Sequence, residues 1–129
     1  MIKVLDFLAL IFYCGLLYWL SDKPSLGLPM WFPYQDKVQH FSAYFILALI
    51  AWRNTLCWRH LSRGRRAIMV ILFCSLYGIS DEWHQSFVVG RSSDVLDWLA
   101  DTSGAVLASF LLMRFSAQWL LLKPFVWQR

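Results

Sequence analysis

The sequence predicts an all-α polytopic membrane protein, a single domain over residues 1–129 folded as a bundle of four transmembrane helices. Composition is the first ground. The hydrophobic share is 59% and the charged share 16%, with a mean hydropathy of +0.50. A soluble core-and-shell protein needs more polar residues than this to cover its surface, whereas a shell facing lipid is itself apolar. Patterning is the second: stretches near 4–20, 36–52, 67–87 and 94–113 are each close to the length that crosses about 30 Å of hydrocarbon. The third is the placement of positive charge. The net charge is +4, yet Arg53, Arg59, Arg63, Arg65 and Arg66 crowd into one short interhelical stretch, as a cytoplasmic loop does under the positive-inside bias. Such a loop suits anionic headgroups of membrane lipids, and its confinement argues against nucleic acid as a partner.

The first apolar run, Val4 to Leu20, follows Lys3 and leaves through Tyr18-Trp19 into Ser21-Asp22-Lys23-Pro24. No small-x-small cleavage site appears there, so it reads as a retained helix with an interfacial aromatic belt. Residues 21–35 form a loop broken by Pro24, Gly27, Pro29 and Pro33, with Met30, Trp31, Phe32 and Tyr34 at headgroup level. The second helix opens at Asp36, where an acid complements the positive end of the helix dipole. Asp36, His40 and Tyr44 then recur at i, i+4 and i+8, which places them on one face. The third helix extends through the Asp81 turn, so that Asp81, His84 and Gln85 share a face and Glu82 points about 100° away, toward a neighbouring helix. Gly90 frees the turn that follows, and Ser93 or Asp94 can cap the last helix. Asp94, Asp97 and Asp101 form one stripe there, continued by the small residues Gly104, Ala105 and Ala108, which let helices approach closely. Residues 115–129 suit an interfacial tail, with Trp119, Lys123, Pro124, Trp127 and Arg129. Cys14, Cys57 and Cys74 have no C-x-x-C spacing and read as quiet thiols.

Function is expected where the acids are. Residues 77–101 hold five of the eight acidic residues, with His84 and Arg91 among them. Acids near lipid are costly and mark functional paths. Four crossings place both termini and the basic loop in the cytoplasm. The opposite mouth then receives polar stripes from three separate helix ends. His40, His84, Asp81 and Asp101 are the catalytic candidates, an imidazole acting as general acid or base with a carboxylate orienting it. Asp36, Lys37, Tyr44, Glu82, Gln85, Arg91, Asp94 and Asp97 are the binding candidates, with Arg91 suited to clamp a phosphate or carboxylate. A divalent cation is an alternative use of the same oxygen-rich set, with Asp36, His40, Asp97 and Asp101 as its ligand candidates. A static network of ion pairs compensating buried carboxylates is a third.

Several of these elements together resemble the VanZ-like family of small bacterial membrane proteins. They are Asp36-Lys37-Val38-Gln39-His40 with Tyr44, Ser80-Asp81-Glu82-Trp83-His84-Gln85 with Phe87, Arg91 with Asp94, and Asp97-x-x-x-Asp101-x-x-Gly104. The resemblance spans roughly residues 36 to 110. It implies a four-helix integral domain in the bacterial cytoplasmic membrane and a tie to the cell envelope. The family's namesake confers teicoplanin resistance by a route other than altered peptidoglycan precursors. Three functions are open on this reading. One is an enzyme acting on an envelope lipid or lipid-linked glycan. The second is a non-catalytic binder or carrier of a cation or headgroup. The third is a structural network that holds the bundle or a homo-oligomer together.

Overall fold

Four apolar segments joined by short polar connections can bury their small-residue faces only against one another, and the chain does this. The computed structural model describes residues 2–24 and 29–115, with α1 at Ile2–Ser21, α2 at Gln35–Thr55, α3 at Arg63–Gln85 and α4 at Val95–Phe115. No strand occurs among the described residues. The expected tail beyond Phe115, Gly27 and the side chain of Lys3 lie outside the described residues.

The helix ends lie within three residues of the expected ones except at the start of α3, and the starts of α3 and α4 each have a physical reason. α3 begins at Arg63 rather than Ala67, because Ser62 caps it: its hydroxyl accepts from the Arg65 amide at 3.3 Å. Arg66 is therefore a helical residue and not part of a solvated loop. Its buried guanidinium donates to the carbonyls of Thr55, Trp58 (2.7 Å) and Leu61 (3.2 Å). It thereby closes the end of α2 and the turn after it. α4 starts at Val95 because Asp94 caps it, its Oδ1 accepting from the Leu96 amide at 2.9 Å.

α2 and α4 share the most extensive interface, and α3 packs next against α4. The contact is close because the buried face of α4 is built of the small residues Gly104, Ala105, Ala108 and Ser109. A Cβ at Gly104 would overlap the Phe41 carbonyl oxygen, so the two backbones touch as small-residue faces allow. Leu47, Ala48, Trp52, Cys74, Ala105 and Leu112 complete the buried core.

Polar contacts mark the two ends of the bundle. At one, Arg53 near the end of α2 pairs with Asp6 near the start of α1 at 2.9 Å, and Asn54 donates to the Asp6 carbonyl. At the other, the C-terminal ends of α1 and α3 meet the N-terminal ends of α2 and α4, and nearly all the candidate site residues lie there. Between the ends the outer surface is apolar: Leu5, Leu8 and Phe12 on α1, Ile68, Leu72 and Leu76 on α3, and Val106 and Phe110 on α4 are all exposed. α1 and α4 are long and apolar enough to cross a membrane. α2 and α3, at 21 and 23 residues, are of similar length but carry charged groups at both ends.

Candidate functional site

The mouth is organised by one lysine. Lys37, in the first turn of α2, places its Nζ 3.0 Å from Asp36 Oδ2, 2.6 Å from Asp94 Oδ2 and 2.7 Å from Asp97 Oδ1. This ties the start of α2 to the start of α4. Asp94 lies just outside the helix, and its hydrogen bond with Lys37, then the Leu96 amide, holds its carboxyl below the ordinary aspartate value. The Asp94 backbone amide donates to Glu82 Oε2 at 2.7 Å, which brings in α3.

One turn deeper, His40 reaches across to α4. Its Nδ1 is 3.0 Å from Asp101 Oδ1, and its Nε2 is 3.9 Å from Asp97 Oδ2. With Asp101 ionised its oxygen can only accept, and Nδ1 is then the donor in this hydrogen bond. Asp101 is fully buried. Gly78 of α3 makes room for it, since a Cβ there would stand 3.1 Å from Asp101 Oδ2. Three buried polar atoms around this point have no hydrogen-bond partner: Asp101 Oδ2, Glu82 Oε1 and Tyr44 Oη. His40, Glu82 and Asp101 can each offer one ligating atom, with all three atoms within 4.8 Å of one another. Of the expected ligand candidates, this group holds His40 and Asp101, while Asp36 and Asp97 each pair with Lys37 and Glu82 stands beside His40 and Asp101.

Gln85 and Arg91 complete the wall. Gln85 donates to Asp81 Oδ2 at 3.3 Å and accepts from Arg91 Nη1 at 3.3 Å, while Arg91 Nε donates to the Lys23 carbonyl at 2.9 Å. Arg91 thus links the loop after α1 to the turn before α4. Two cavities meet at these side chains. The first, of about 350 Å³, is lined by Lys37, Arg91, Asp94, Asp97 and their neighbours. The second, of about 100 Å³, lies between helices and is lined by Leu17, Leu20, Ala43, Tyr44 and Asp81. Gln39, His40, Gln85 and Arg91 line both.

The structure sets His84 apart. Its ring stacks on Tyr18 of α1, with centroids 4.3 Å apart and planes at 26°. Nδ1 is 3.4 Å from the Ser21 hydroxyl, and Nε2 is 3.6 Å from Asp22 Oδ1. It lines a separate cavity with Trp83 and Phe87. The two imidazoles therefore do not share a pocket, and Asp81 lies on the wall between them. Ser21, buried at the end of α1, was not among the expected site residues. Its only sequence signal is a small polar residue closing an apolar run.

Fold and site define a class: a small four-helix protein with an apolar exterior and an acid-rich, histidine-bearing pocket at one end. The chain matches the family model described as VanZ/LLP1 over residues 7–116, and it belongs to the VanZ-like family. An uncharacterized protein of Schizosaccharomyces pombe is 35% identical to it over 95 residues, covering 72% of this chain and 53% of that protein. The chain thus spans about half the length of this curated relative. No solved structure matches it. Family membership and the two apolar helices α1 and α4 together point to a membrane protein.

Proposed function

We propose that this protein is a four-span membrane protein of the bacterial cell envelope that binds the anionic headgroup of an envelope lipid or lipid-linked glycan. On this reading the mouth faces away from the cytoplasm, and both termini lie on the cytoplasmic side of the inner membrane. The observation that carries it is the pair of adjacent cavities that share Gln39, His40, Gln85 and Arg91 as lining. A charged chamber with Arg91 and Lys37 in its wall lies beside a narrower slot lined by Leu17, Leu20 and Ala43. That pairing suits an amphipathic molecule, whose phosphate or carboxylate meets the guanidinium while its chain follows the apolar slot. The apolar exterior of α3 and the basic residues Arg59, Arg63 and Arg65 at the far end support the four-span topology.

His40, held by Asp101 and open to both cavities, is the group placed to move a proton on the bound headgroup. Teicoplanin resistance rests on the family's namesake alone and forms no part of this proposal.

The test is binding and turnover by the reconstituted protein with a panel of phosphorylated polyprenyl lipids and anionic phospholipids. Saturable binding is expected, weakened at least about tenfold by Arg91→Gln, which removes a charge-assisted contact. Turnover is expected to vanish in His40→Ala and Asp101→Asn while helicity and abundance stay normal. Failure to bind every lipid in the panel would overturn the headgroup reading. Binding with no turnover would leave a binder and remove the catalytic role of His40.

A further inference from the structure

We propose that His40, Glu82 and Asp101 form a divalent-cation site, one that holds whether or not a lipid headgroup binds beside it. Glu82 and Asp101 are both more than nine-tenths buried, and each keeps one oxygen with no partner, Oε1 and Oδ2. A buried carboxylate oxygen with no partner is destabilising, and the two carboxylates lie close enough for one cation to take an oxygen from each. Neither neighbouring cation hydrogen-bonds these two oxygens. Lys37 is shared among Asp36, Asp94 and Asp97, and Arg91 is bonded to the Lys23 carbonyl and to Gln85. His40 is the remaining basic group in contact with this pair's surroundings.

The geometry fits a metal ion. The three ligating atoms lie within 4.8 Å of one another, and His40 Nδ1 and Asp101 Oδ1 are 3.0 Å apart. Adjacent ligands about 2.1 Å from an octahedral ion stand roughly 3 Å apart, so that edge needs no rearrangement. The Glu82 oxygen, within 4.8 Å of the other two, completes the set by moving inward as the ion binds. On loading, the neutral imidazole switches tautomer: its proton moves from Nδ1 to Nε2 through solvent, and Nδ1 is freed for the cation. Nε2–H then faces Asp97 Oδ2 at 3.9 Å, the outer carboxylate partner that metal-bound histidines commonly have. Two carboxylates and a neutral imidazole balance a charge of two. Mixed nitrogen and oxygen donors select a first-row ion such as Mn²⁺ or Zn²⁺ over Ca²⁺, which prefers oxygen alone. Three protein ligands leave positions open, and His40 lines both cavities. His40 is thus the ligand that meets the cavities, whereas Glu82 and Asp101 lie behind it and line neither.

The experiment uses the purified full-length protein, stripped with EDTA and titrated with Mn²⁺ alone at neutral pH. Loss of the free-ion electron paramagnetic resonance signal and the melting temperature are followed together. One saturable Mn²⁺ per chain is expected, with a rise in melting temperature. Glu82→Gln and Asp101→Asn should each weaken binding at least about tenfold, while His60→Ala, in the loop at the opposite end, leaves it unchanged. Circular dichroism and elution volume confirm that the variants fold. No saturable binding by the wild type up to millimolar Mn²⁺, or equal binding by both acid variants, overturns the site. Lipid binding measured in EDTA reports on the headgroup reading separately, so either can fail alone.

Discussion

Lys37 and His40 stand one helical turn apart and serve two different sets of carboxylates. Lys37 takes the outer aspartates, partly exposed, where ion pairs contribute little and salt weakens them. Because Asp94 is held below its ordinary value by Lys37, the sign of its effect is determined. The stability it contributes is present above the unfolded aspartate pKa and is lost as the pH falls through the lower folded value. Melting curves against pH should therefore show an acid limb that Asp94→Asn reduces and high salt flattens. His40 serves the inner set, where nothing is screened. His40→Ala leaves Asp101 Oδ1 without its donor, and a stability loss of about 1–3 kcal/mol is expected beyond any loss of function. His40→Gln, which can still donate, should recover part of that stability but not turnover. A purely structural role would recover both.

At the level of the helix, two residues decide how the elements meet. Gly104 lets α4 lie against the α2 backbone at Phe41, and there is no flexible side chain there to yield. Gly104→Ala should cost roughly 1–3 kcal/mol through forced separation, read as a lower unfolding midpoint in detergent. Since Asp101 is one turn away on the same helix, the variant should also loosen the His40–Asp101 contact and weaken Mn²⁺ binding. At the opposite end Arg66 satisfies carbonyls of Thr55, Trp58 and Leu61 at once. Arg66→Met strands them, for an expected loss of about 1–3 kcal/mol per buried acceptor left unpaired. Arg66→Lys should not restore it, because one ammonium lacks the spread of a guanidinium.

For the whole molecule, the exposure of its cysteines distinguishes the two ends. The basic turn between α2 and α3 carries Cys57, exposed, whereas Cys14 is half-buried and Cys74 buried. A membrane-impermeant maleimide should therefore label Cys57 only after the cells are permeabilised, and Ser92→Cys, in the turn at the opposite mouth, without permeabilisation. The reverse pattern would place the pocket in the cytoplasm and remove an extracytoplasmic ligand from consideration.

Number and approximate extent of the helices are legible in the amino-acid order, because apolar length and helix-breaking prolines are local properties. So is the clustering of Asp36, His40, Asp81, Glu82 and Asp101 toward one end, which follows from their positions along helices of similar length. The side-chain partners are not legible. Spacing within one helix sets which residues share its face, but the rotation and depth of neighbouring helices are set by packing, here by Gly104 against Phe41 and Gly78 beside Asp101. That packing gives Asp36 and Asp97 to Lys37, brings Glu82 beside His40 and Asp101, and turns His84 toward Tyr18. The sequence by itself determined a helical chain of membrane-like composition with its acids at one end. Only the tertiary structure decided which acids meet which bases, because that depends on distances of a few ångströms between helices.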